Sequence, residues 1–129
     1  MWVYKQQTGE FLHPGGLRLA FGFAGQGAGL NNPAQDHVHD VGPLPRGEYT
    51  MTAWIESDPR LGACVIVLEQ SLANIMFGRD GFRIHGARSV EGHGLAAYLT
   101  SSEGCICLSD CVARRAIWNS GDRALLVEP

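Results

Sequence analysis

Glu48-Tyr49-Thr50-Met51-Thr52-Ala53-Trp54-Ile55 and, beyond a turn at Ser57-Asp58-Pro59 and Gly62, Ala63-Cys64-Val65-Ile66-Val67-Leu68 set the fold class. The first run is rich in β-branched and aromatic residues and reads as a strand. The second is apolar on both faces, which is the pattern of a strand in the middle of a sheet. Further along, Phe82-Arg83-Ile84-His85 alternates with period two. Phe82 and Ile84 then share one face, and Arg83 and His85 the other, more polar one.

The flanks continue in the same style. Trp2-Val3-Tyr4 reads as a first strand before a Thr8-Gly9 turn, and Leu17 to Phe23 as a second. Gly42-Pro43-Leu44-Pro45-Arg46-Gly47 is a rigid turn, because each proline fixes φ. Gln70 to Asp80 reads as a connection with a short helical turn, and Gly86 to Thr100 as a loop containing His93. Ile106 to Leu108 is a brief strand and Arg123 to Val127 a closing one. Between them, Cys111 to Trp118 is the one clear helix, with Ser109 as its cap, Asp110 in its first turn and Ser120-Gly121 at its end. The reading is a mainly β single domain over 1–129, a sandwich or partly open barrel of mixed strands with one α-helix in the C-terminal half.

Bulk properties bound the function. A chain of 129 residues with 45% hydrophobic and 18% charged residues suits one globular core. Net charge is −3 and Lys5 is the single lysine, so the electrostatic footprint of a nucleic-acid binder is missing. The densest apolar run, Ala63 to Leu68, is far below the roughly 20 residues of a transmembrane helix. The Gly-rich stretch Ala24 to Asn32 is not followed by Gly-Lys-Ser/Thr, which argues against a phosphate cradle. The start shows no basic stretch followed by an apolar one, so no signal peptide is visible.

The chemistry concentrates in Ile84-His85-Gly86 and Ser102-Glu103-Gly104-Cys105-Ile106. Sixteen residues, Gly86 to Ser101, separate the two, enough to loop out and return. A thiol attacks as thiolate, and an imidazole beside it lowers its pKa and takes its proton. Cys105 is therefore the candidate nucleophile and His85 the candidate base. Gly104 permits the turn, and the amides of Gly104 and Cys105 are candidates for an oxyanion site. Ser102 either assists the imidazole and the oxyanion or satisfies its own turn.

Ile84-His85-Gly86 with Ser102-Glu103-Gly104-Cys105-Ile106 resembles the signature of L,D-transpeptidase catalytic domains. Trp2-Val3-Tyr4 with Thr8-Gly9, Gly42 to Tyr49, and Phe77 to Gly86 are similar to the type VI secretion L,D-transpeptidase effectors, short antibacterial toxins that attack peptidoglycan. The resemblance spans nearly the whole chain. It implies the L,D-transpeptidase-type β-fold, no cofactor, and a Gly86 carbonyl orienting the His85 ring. It also implies peptidoglycan peptide stems as substrate, a cognate immunity protein, and delivery by the secretion machinery. The enzyme is then made in the cytoplasm and acts in the periplasm of a target bacterium. Two positions depart from the general box: Glu103 stands in place of His, and Cys107 in place of the Arg or Asn thought to bind the substrate carboxylate. Arg79 and Arg83, flanking the His85 strand, are the leading replacements ahead of Arg88, since guanidinium suits carboxylate. Glu103 is a further candidate substrate contact.

Two other readings compete. A catalytically inactive domain that binds wall or partner keeps the fold without the reaction, and the Glu103 and Cys107 departures favour it. A metal site is suggested by Cys105, Cys107 and Cys111 with His37, His39 and His93, but Cys105-Ile106-Cys107 has one intervening residue where zinc knuckles have two to four. No metal is expected. Four cysteines allow three pairings. Cys64 in its apolar run reads as a buried thiol, and Cys107 with Cys111 as the pair that an oxidising compartment would close, leaving Cys105 free.

Overall fold

A computed structural model describes residues 1–87 and 102–129. From residue 88 onward, the loop expected between Gly86 and Thr100, with Arg88 and His93, lies outside the described residues. Among the described residues, eight strands form one mixed sheet: β1 (Trp2–Lys5), β2 (Glu10–Leu12), β3 (Arg18–Phe21), β4 (Gly47–Asp58), β5 (Gly62–Gln70), β6 (Arg83–His85), β7 (Ile106–Cys107) and β8 (Ala124–Glu128). Among the described residues there is one α-helix, α1 (Cys111–Asn119). The strand order is β3-β2-β1-β8-β4-β5-β6-β7. Just past β3, Phe23 bridges Cys107 of β7, with N–H to carbonyl bonds of 3.0 and 2.8 Å in the two directions. The sheet thus curls until its two edges touch, which is the mainly β, partly open barrel that the sequence pattern calls for.

The apolar rows explain the curl. Ile66 pairs with Ile84, and Ile84 with Ile106, so three fully buried isoleucines run across β5, β6 and β7. Trp2, Tyr4, Leu125, Val127, Tyr49 and Met51 carry the same core across β1, β8 and β4. The β4–β5 turn is held by Asp58, whose Oδ1 accepts the amides of Arg60 and Leu61 at 2.8 and 2.9 Å. β5 is central, as its two-sided apolar pattern indicates, lying between β4 and β6.

Four local expectations are corrected. β2 was not foreseen: Glu10-Phe11-Leu12 is too short to display a period. The Gln70 to Asp80 connection forms turns rather than a helical turn. The helix cap is Asp110, not Ser109; its carboxylate accepts Val112 N–H at 2.8 Å. Cys64 is not a free buried thiol, nor does Cys107 pair with Cys111: Cys64 and Cys111 form the disulfide, their Cα atoms 5.7 Å apart. The first turn of α1 sits over the start of β5, which brings these two together, while Cys107 is turned toward His85.

This disulfide closes a segment of 47 residues. In the chain-entropy view such a link stabilises by about 4 kcal/mol. Cys64→Ser and Cys111→Ser are each expected to lose roughly 2–4 kcal/mol, measured by urea melts. The parent under dithiothreitol should match them, whereas Cys107→Ser should melt close to the parent.

Candidate functional site

Strands β6 and β7 run parallel, with His85 opposite Cys107. Their alternation sends Ile84 and Ile106 into the isoleucine row and leaves Arg83, His85, Cys105 and Cys107 for the other face. His85 is 4% exposed. Its Nδ1–H donates to the Gly86 carbonyl at 2.7 Å, so Nε2 carries the lone pair.

The Cys107 sulfur lies 3.9 Å from Nδ1 and 4.0 Å from Nε2 of the ring. A sulfur almost equidistant from both nitrogens lies on neither lone-pair axis, so this is a packing contact rather than a directed bond. Cys105 lies diagonally across the same face. As a residue it is half-buried, but its sulfur is turned inward and accepts the Arg83 amide at 3.3 Å. The base and the expected nucleophile therefore share a face with no hydrogen bond between them.

The box around Cys105 is built by Ser102. Its oxygen accepts the amides of Gly25 and Gly104, both at 3.0 Å, and its hydroxyl donates to the Cys105 carbonyl at 2.6 Å. These three bonds go to backbone, as in the turn role foreseen for Ser102, and its side chain also bonds the Cys107 thiol. The Gly104 amide, expected at an oxyanion, is spent on Ser102. Gly104 has φ +132°, and a Cβ there would meet Arg79 Nη2 at 2.5 Å and Phe82 Cε1 at 2.8 Å, so only glycine fits.

Arg79, expected to take a substrate carboxylate, is 5% exposed and already committed. Its guanidinium donates to the carbonyls of Asp36, Pro43, Gly42 and Glu103 at 2.7, 2.8, 2.9 and 3.1 Å. It ties the proline turn to the Ser102–Cys105 box, and Leu44 N–H adds a bond to Gly104 O at 2.9 Å. Arg83 remains the arginine nearer to Cys105; it is half-buried, bonds Gly81 O at 3.0 Å, and its buried Nε has no partner among the described residues. Glu103 is exposed and lines a cleft of about 150 Å³ with His39, Asp40 and Asp80. His37 meets the Phe77 ring edge-on and the His39 ring lies 2.8 Å from Phe77 O. Among the described residues no three His, Cys, Asp or Glu side chains are grouped to hold a metal.

Electrostatics set the protonation states. Burial pushes the His85 pKa down, the Gly86 bond opposes this, and the Arg114 and Arg83 charges add to the lowering. Burial pushes the Cys105 thiol up, against the lowering by the Arg83 amide and charge. The Cys107 thiol is pushed up to about 12, mainly by burial. Near neutral pH the site is a neutral imidazole facing neutral thiols, not the lowered thiol that the spacing alone suggested.

Sequence reasoning missed Arg114. It is 4% exposed and donates through Nη1 to Ala63 O and Cys64 O, each at 2.9 Å. The available signal was an arginine on the inward stripe of the helix, between Ala113 and Ile117.

A small curled β domain with a buried histidine–cysteine face and a disulfide-pinned helix is the class that this geometry defines. A family model described as the Tlde1 domain matches residues 19–127. The chain belongs to this family of type VI secretion effectors. No curated protein and no solved structure matches it. No helix among the described residues is long and apolar enough to cross a membrane.

Two outcomes are expected. Ser102→Ala leaves two buried amides without an acceptor and should cost about 2–4 kcal/mol, read from denaturant melts. His85 binds a proton less readily when folded than when unfolded, so the unfolded chain takes up more protons as pH falls through about 6.5. Stability should therefore drop between about pH 7 and 5.5, and His85→Gln should flatten that part of a Tm-versus-pH series.

Proposed function

We propose that this effector is a cysteine enzyme of peptidoglycan stem peptides, an L,D-carboxypeptidase that also exchanges D-amino acids as an L,D-transpeptidase. The supporting observation is His85, its Nδ1 held by the Gly86 carbonyl so that Nε2 is the base, on one face with Cys105 in the Ser102–Cys105 box.

The reaction follows from these parts. Rotation about χ1 takes the Cys105 sulfur off the Arg83 amide and toward His85. Nε2 accepts the thiol proton as the sulfur attacks the carbonyl of the third stem residue. The Cys105 amide stabilises the oxyanion. The C–N bond to the terminal D-alanine breaks, and His85 returns the proton to the leaving amine. A thioester on Cys105 remains. Water releases a tripeptide stem, or a free D-amino acid takes its place. Both outcomes deplete the tetrapeptide donors of the target cell. In this reading the toxin acts in the target periplasm, and a producing cell keeps an immunity protein against it.

A binding domain without activity is the second reading. What favours it is the raised Cys105 thiol and a ring that packs on Cys107 instead.

Muropeptide analysis decides between them. Periplasm-directed parent protein should remove tetrapeptide stems, and Cys105→Ala should abolish the loss by at least a hundredfold. Cys107→Ala should keep most of it. Unchanged tetrapeptides with the parent, or full activity with Cys105→Ala, would sink the enzymatic reading.

A further inference from the structure

Arg114 is a buried cation without a carboxylate partner among the described residues. The nearest acidic influence is Asp110, acting through charge and not through an ion pair. Its Nε is buried and finds no hydrogen-bond partner among the described residues. Placing a guanidinium in such a position is costly, and hydrophobic side chains of similar volume commonly serve a helix–sheet contact as well. The position it occupies is specific. A Cβ on Gly86 would stand 3.0 Å from Nη2, 3.3 Å from Nη1 and 3.4 Å from Cζ. The guanidinium is therefore packed against the residue whose carbonyl holds the His85 ring at 2.7 Å.

Its seat is equally defined. Nη1 bonds the carbonyls of Ala63 and Cys64 on β5. Cys64 is disulfide-linked to Cys111, one turn before Arg114 on α1. The helix, the disulfide and the strand thus fix one positive charge behind one imidazole.

We infer that Arg114 is a positioning residue for His85: its guanidinium, packed on Gly86 and seated on the Ala63 and Cys64 carbonyls, places a fixed positive charge behind the imidazole. The inference rests on His85 serving as a base in the proposed reaction, but its test does not require turnover. Among the described residues, the groups that act on the ring are Arg83 on its own strand, Arg114 from α1, Asp58 from β4 and Cys107 from β7. Arg83 and Arg114 oppose protonation, and Asp58 favours it. Burial contributes most, so the control must separate charge from packing.

The experiment is an NMR titration of the His85 imidazole in the full disulfide-bonded chain. Parent, Arg114→Gln, Arg114→Met and Arg114→Lys are compared, each first checked for a cooperative melt. The expected result is a titration below the ordinary histidine range in the parent and in the Lys variant, with an upward shift in the Gln and Met variants. Lysine loses the forked contact with Ala63 and Cys64 but keeps the charge, so a purely packing role would move all three variants together. That joint movement, or a Gln variant that titrates like the parent, overturns the inference. Should both neutral variants fail to fold, Gly86→Val takes their place: a Cβ alone would already stand 3.0 to 3.4 Å from the guanidinium, so the added methyl groups displace it. His85 must then shift upward, and an unmoved titration overturns the inference. If the titrations behave as expected while no stem peptide is cleaved, the proposed reaction fails and the role of Arg114 stands.

Discussion

The parallel pairing of β6 with β7 is the constraint on which the site depends. Parallel neighbours cannot be joined by a tight turn; they need a crossover of a dozen or more residues. That requirement accounts for the long separation between His85 and Cys105, which looks arbitrary along the chain. Register does the rest. With Ile84 opposite Ile106 in the apolar row, His85 must stand opposite Cys107. A slip of one residue would turn the histidine into the core and the isoleucines out of it. Burial of the isoleucine row therefore positions the imidazole.

Two arginines brace this pairing. Arg79 gathers four carbonyls from the proline turn and the Ser102–Cys105 box, and Arg114 gathers two from β5 beside Gly86. Guanidinium suits such work because its donors are fixed in a plane and spread over a wide fork. Both charges are buried, so both are expensive, and each donates to backbone carbonyls in turns or near a strand end. Leu44 N–H to Gly104 O and the Ser102 hydroxyl complete the brace on the Cys105 side. The box stands on hydrogen bonds between loops distant in sequence, which makes its shape a property of the whole fold.

Legibility in the sequence follows the range of the interactions. Strands with strong local patterns, β4, β5 and β6, were readable, because alternation and two-sided apolarity are written in consecutive residues. The helix was readable for the same reason, apart from a cap displaced by one residue to Asp110. β2 was not, since three residues carry no period. The Cys64–Cys111 link was hidden because pairing depends on where α1 lands on β5. Arg79 shows the same limit in the other direction. Beside the histidine strand it looks like a substrate contact, and only the folded arrangement of Asp36, Gly42, Pro43 and Glu103 reveals that its donors are used. Family membership was legible through blocks spread along the chain, since turns such as Gly42 to Gly47 and the box at Ser102 to Cys105 each constrain several neighbouring residues at once.

The protonation states join the two halves of the picture. A buried neutral thiol is a weak nucleophile, and a buried neutral imidazole is a base that has not yet been used. Such a pair stores no ion pair in the resting protein. Burial and the neighbouring guanidiniums push His85 in this direction, and burial pushes both thiols the same way. The arrangement has a physical consequence for oxidation. Thiolate is the form that oxidants attack, so a cysteine kept protonated resists oxidation. The disulfide at Cys64 and Cys111 meanwhile closes where two cysteines are already held at bonding distance. One sheet thus keeps two sulfurs apart as thiols and joins two others, and the difference lies in where α1 and β7 place them.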